Sequence, residues 1–114
     1  MDKRIGVLES QIRKIKSELD RLGDLRPGSL SEQYNVCGNP NCRCKEDPSK
    51  RHGPYYQLSL TRKGRSRTKF VKKPHLAEVK KQLKCYARLR TLVDRWIDLS
   101  SELCELRLEQ RSRE

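Results

Sequence analysis

At 114 residues, with 33% hydrophobic residues and a mean hydropathy of −0.97, the chain is large enough for one domain at most and too polar for a large apolar core. Twenty-seven Lys and Arg face 15 Asp and Glu, a net charge of +12. No apolar run is long enough to cross a membrane, and a compact enzyme with a deep pocket is excluded in favour of helices beside a small stapled module.

In chain order, Ile5, Leu8, Ile12, Ile15, Leu19 and Leu22 recur at alternating steps of three and four. This heptad seam predicts a helix over 2–22, stopped by Gly23 and Pro27-Gly28. The start M-D-K-R-I-G-V-L-E has no apolar signal core, so a cytoplasmic protein is expected. Ser29 to Val36 reads as an extended approach to the first cysteine. Residues 37–54 hold Pro40, Pro48 and Gly38 and read as loop. Tyr55–Leu60 and Arg67–Val71 read as the two strands of a β-hairpin whose turn contains Gly64. Pro74 then sits just inside the start of a long helix that runs to about Leu108. Its apolar positions form two seams, Leu76-Val79-Leu83-Tyr86 and Leu89-Leu92-Trp96-Leu99-Leu103-Leu106. The step of three from Tyr86 to Leu89 breaks the register, which overwinds a coiled coil locally or marks a change of partner.

Cys37, Cys42 and Cys44 fall within eight residues, and His52 follows eight positions later. Three thiolates and an imidazole form a closed tetrahedral ligand set for a structural zinc ion. Gly38, Asn39, Pro40 and Asn41 suit the tight loop such a site needs. Reduced thiols or a disulfide are the alternatives, and His52 is the fourth ligand in preference to His75. Cys85 and Cys104 stand about 28 Å apart along the long helix and cannot share a metal within one chain. No catalytic motif accompanies the cluster, so the chain is not expected to be an enzyme or to take a small-molecule substrate.

The charge is segregated. Residues 37–73 carry eleven Lys and Arg against two Asp and Glu, which gives +9 and leaves +3 for everything else. Arg62, Lys63, Arg65, Arg67, Lys69, Lys72 and Lys73 crowd the turn and its outgoing strand, with Lys50 and Arg51 just before the hairpin. Such a cluster neutralises phosphates, and a two-stranded ribbon fits a DNA major groove. Tyr55 and Tyr56 alternate, which allows one to face the core and the other, Tyr55, to stack on a base or ribose; the alternative is that both cover the small core and the Lys and Arg form a solubility face.

The strings C-G-N-P-N-C-R-C and H-G-P-Y-Y-Q-L-S, followed by F-V-K-K, resemble a family of short, uncharacterised prokaryotic and phage proteins with a C-G-x-P-x-C-x-C … H-G-P-Y-Y core. The resemblance covers about residues 30–100 and leaves out the N-terminal helix. It carries no activity. Because such proteins are sometimes encoded near transposases and other mobile elements, it implies a DNA-associated role.

Together these readings predict a mainly α fold. An N-terminal coiled-coil helix (1–28) and a long C-terminal helix (74–114) form an antiparallel hairpin with a zinc–β-hairpin module (29–73) as its head. The expected function is a small zinc-binding, nucleic-acid-binding accessory or architectural protein, with DNA favoured over RNA. Surplus apolar seam around Trp96 suggests a homodimer. The alternative is a coiled-coil adaptor with a structural zinc head.

Overall fold

The computed structural model describes residues 3–36 and 38–113, without the side chains of Cys44 and Pro48. It is a mixed fold of two helices and one three-stranded antiparallel sheet. The elements are α1 (Lys3–Asp20), β1 (Ser29–Asn35), β2 (His52–Arg62), β3 (Arg65–Val71) and α2 (Leu76–Arg113). The chain forms two compact units, Arg26–Leu83 and the pair of segments Met1–Leu25 and Lys84–Glu114.

In the helical unit, α1 buries the seam its spacing announces. Leu8, Ile12 and Leu103 form a buried cluster, and Ile5, Trp96, Leu99 and Leu106 pack against it. The pairing is antiparallel: Arg4 binds Glu102 near one end of α1, with a 2.8 Å contact, and Arg88 binds Glu18 near the other. Lys16 lies 5.2 Å from the centre of the Trp96 ring. Trp96 itself is therefore engaged with α1, and the exposed apolar side chains on α2 are its neighbour Ile97 and, further along, Leu108, 57% and 54% exposed. α1 ends when Arg21 and Leu22 close back on the carbonyls of Glu18 and Leu19, which satisfies two of its last carbonyl groups.

In the other unit, the expected hairpin is the second half of a three-stranded sheet in the order β1-β2-β3. Lys63 and Gly64 make a two-residue turn with φ of 53° and 75°. Positive φ at both positions is the type I′ geometry that matches strand twist, so the strands run up to Arg62 and Arg65. Thr61 and Ser66 join their hydroxyls across the pair at 2.9 Å. β1 pairs from Ser29↔Ser59 to Gln33↔Tyr55, then slips and resumes at Asn35↔His52. The core is Leu58, Val71 and Val79, with Leu30, Tyr56, Leu76 and Leu83 packed against it. Arg26 fastens the entry to β1: its N–H donates to the Gln82 carbonyl at 3.1 Å and its Nε to Gln82 Oε1 at 2.8 Å.

The break in register between Tyr86 and Leu89 is a change of partner. Leu76, Val79 and Leu83 pack with the sheet, whereas Trp96, Leu99, Leu103 and Leu106 pack with α1. Pro74 lies in a short 3-10 turn, Lys73–His75, that leads into α2. Among the described residues no helix is long and apolar enough to cross a membrane.

The hydrogen bond from Arg88, and then its charge, hold the Glu18 carboxyl below its ordinary value of 4.5, against partial desolvation. A depressed folded-state value contributes stability that is fully present above about pH 4.5 and is lost as pH falls through the lowered value. Glu18→Gln should therefore be less stable than wild type at pH 7, with the gap closing in acid and in high salt because both partners are half-exposed. Urea unfolding followed at Trp96 measures it; a gap independent of pH would contradict the assignment.

Candidate metal centre and nucleic-acid interface

The loop before β2 is shaped by its own polar groups. Asn39 Oδ1 accepts the Asn41 N–H at 3.0 Å, and the Asn39 carbonyl accepts the Cys42 N–H at 3.1 Å. Short 3-10 turns follow at Arg43–Lys45, which contains Cys44, and Pro48–Lys50, where Asp47 Oδ1 accepts the Ser49 N–H at 3.0 Å. Glu46 and Asp47 are exposed, as solvated loop residues would be. His52 opens β2 opposite Asn35. The outcome is a 3.3 Å approach between Cys42 Sγ and His52 Nε2.

That approach fits a shared metal. A thiolate at 2.3 Å and an imidazole nitrogen at 2.0–2.1 Å, tetrahedral at one zinc ion, stand about 3.5 Å apart. Cys37 lies outside the described residues, as does the side chain of Cys44. Among the described residues no group of three or more His, Cys, Asp or Glu could hold a metal. Two of the four expected ligands are thus brought together. Next to His52, Gly53 allows β1 to come close: a Cβ there would lie 2.7 Å from the Gln33 carbonyl oxygen, and its φ of 142° suits glycine alone. Cys85 and Cys104, on α2, are free thiols.

The expected nucleic-acid contacts do not share one surface. Paired residues in a sheet lie on the same face. Arg67 pairs with Leu60, Lys69 with Leu58 and Arg62 with Arg65, so these four cations are on the face that also carries the core. Arg62, Lys63, Arg65 and Arg67 line a shallow depression with Leu60 at the hairpin end. Lys72 and Lys73 follow the end of β3. Lys50 and Arg51 precede β2 and are exposed. Among the described residues none of these cations forms an ion pair; the three ion pairs, Arg4–Glu102, Arg88–Glu18 and Arg107–Glu9, are in the helical unit.

Tyr55 and Tyr56 divide as their alternation requires. Tyr56 is half-buried against the core beside Glu32, its partner on β1. Burial first, then the Glu32 charge and hydrogen bond, raise its phenol above the usual value of 10.0. Tyr55 is on the opposite face, 43% exposed, and Phe70 accompanies it there at 63%. The sequence marks Phe70 only as a strand former. The available signal was its parity: Val71 shares a face with Tyr56, which turns Phe70 outward.

Comparison with known families places the chain. It belongs to the family described as a domain of unknown function (DUF6788), whose model matches residues 7–81. The match takes in most of α1, which the resemblance noted above left out, and ends soon after α2 begins. No curated protein and no solved structure matches the chain.

Proposed function

We propose that this member of the DUF6788 family is a zinc-stapled nucleic-acid-binding accessory or architectural protein, acting on DNA in preference to RNA, with the basic end of its sheet as the phosphate contact. One observation carries the reading. Arg62 and Arg65 stand directly opposite each other across the hairpin, with Lys63 in the turn between them and no acidic partner among the described residues. Like charges placed opposite one another destabilise a strand pair, and a left-handed turn position favours Asn or Gly over Lys. A chain that accepts both costs at one tip is arranged for an anion. The wider charge distribution supports this. Arg26–Leu83 holds fourteen Lys and Arg against four Asp and Glu, or +10, while the helical unit holds thirteen against eleven, or +2.

Zinc belongs to the proposal on two grounds. Cys42 Sγ and His52 Nε2 approach at 3.3 Å, close to the separation a shared ion would give, and among the described residues of Arg26–Leu83 the buried core is no more than Leu58, Val71 and Val79. Metal binding at Cys37, Cys42, Cys44 and His52 would supply folding energy that so small a core lacks. A setting beside mobile elements is proposed with it, from the family resemblance that the Cys and His-Gly-Pro-Tyr-Tyr motifs carry. Ile97 and Leu108, exposed on α2, favour self-association through the helices, and equally the adaptor reading.

Elemental analysis of protein purified without added metal should find about one zinc per chain. Cys42→Ser should lose it and disorder the sheet unit while helical circular dichroism largely persists. Metal-free wild type with the same fold would refute the site. Light scattering at micromolar concentration should give twice the 13.4 kDa chain mass; a monomer over a wide concentration range would remove the dimer. Affinity for nucleic acid should fall steeply with salt. Arg65→Ala with Arg67→Ala should make the log–log slope shallower by about one for each phosphate that is no longer neutralised. Arg13→Ala with Lys14→Ala, both exposed on α1, should change it little. Equal effects from both pairs would mean a diffuse footprint, and no binding at low salt would favour the adaptor.

A further inference from the structure

The face of the sheet turned away from Leu58 and Val71 has an unusual make-up. In a chain with 37% charged residues, its paired positions carry no charge at all. β1 contributes Ser29, Ser31 and Gln33, β2 Gln57, Ser59 and Thr61, and β3 Ser66 and Thr68. The two large side chains among them are Tyr55 and Phe70. Gln57 is opposite Phe70, which puts Tyr55 and Phe70 on a diagonal of adjacent strands, about 7–8 Å apart at the backbone. Both line one shallow depression together with Gly53, Pro54, Lys72 and Lys73, which at this end of the strands also reaches Tyr56 and Val71 of the core face. Lys72 continues extended from β3, with φ −70° and ψ 142°. Two open rings on an uncharged surface, bordered by two lysines, match a ligand that is flat and neutral in its middle and anionic along its edge.

We propose that this face is a base-stacking platform for single-stranded nucleic acid. Tyr55 and Phe70 offer ring faces to neighbouring bases, Gln57 offers hydrogen bonds to a base edge, and Lys72 and Lys73 neutralise the adjoining phosphates. Bases inside a duplex are already stacked and cannot reach the rings, so the face selects unpaired strands. The inference rests on the nucleic-acid reading above and adds the strandedness of the ligand and a recognition residue, Phe70.

The test is fluorescence anisotropy on the full chain with a labelled oligonucleotide of about 12 nucleotides as single-stranded DNA, as single-stranded RNA and as DNA duplex. Wild type should bind the single strands more tightly than the duplex, and the DNA and RNA arms identify which sugar is preferred. Tyr55→Ala and Phe70→Ala should each weaken single-strand binding roughly five- to 150-fold, the span that loss of one stacked base gives. Duplex affinity and the salt slope should stay as in wild type, because the cations remain. Phe70→Leu keeps the bulk and removes the ring, so it should show the same loss if an alanine variant fails to fold. Single-strand affinity indifferent to both rings would overturn the platform, as would an equal loss on single strand and duplex. Salt-dependent binding that ignores the rings ends this inference alone, whereas no binding of any kind ends the nucleic-acid reading with it.

Discussion

The burial of Leu58 and Val71 beneath Val79 is the constraint from which the rest of the sheet unit follows. Side chains alternate along a strand, so choosing which residues go inward chooses the face of every other. With Leu58 inward, Tyr56, Leu60 and Arg62 share its face, and Tyr55, Gln57 and Ser59 take the other. One packing decision thus separates the cations of the hairpin from its exposed rings, although both sets are drawn from the same two strands.

The same economy governs α2. Its first turns present Leu76, Val79 and Leu83 to the sheet, and its later turns present Trp96 to Leu106 to α1. A single uninterrupted seam would serve one partner. The three-residue step between Tyr86 and Leu89 separates the two stretches, and each serves its own small core. Ion pairs accompany the α1 core, where charges of both signs are abundant, and none of the described ones falls among the cations at the hairpin. The first arrangement consumes charge locally; the second leaves it available to an external anion.

The helices were largely legible in the residues because their signal is local and repeated. The seam from Ile5 to Leu22 and the Gly- and Pro-free run after Pro74 mark both helices within a few residues of where they lie. The third strand was harder to read. Ser29 to Val36 looked extended, but its partner β2 is separated from it by the cysteine-rich loop, and no local pattern announces a pairing across that distance. Of the candidate metal ligands that the residues suggest, the described structure brings Cys42 to His52, and that meeting joins the loop to the strand position Asn35↔His52, which no local spacing announces.

The charge segregation, the helical seams, the tight turn at Gly64 and the clustering of Cys and His can all be read along the chain, because each is carried by residue type and short spacing. That β1 completes a sheet, that Trp96 packs with α1, that Arg62 and Arg65 confront each other, and that Phe70 joins Tyr55 on an uncharged face emerge with the folded arrangement. Those outcomes depend on which strand pairs with which and in what register. Register is set by burying a few apolar side chains drawn from distant parts of the chain, and that choice has no signature in any one stretch of it.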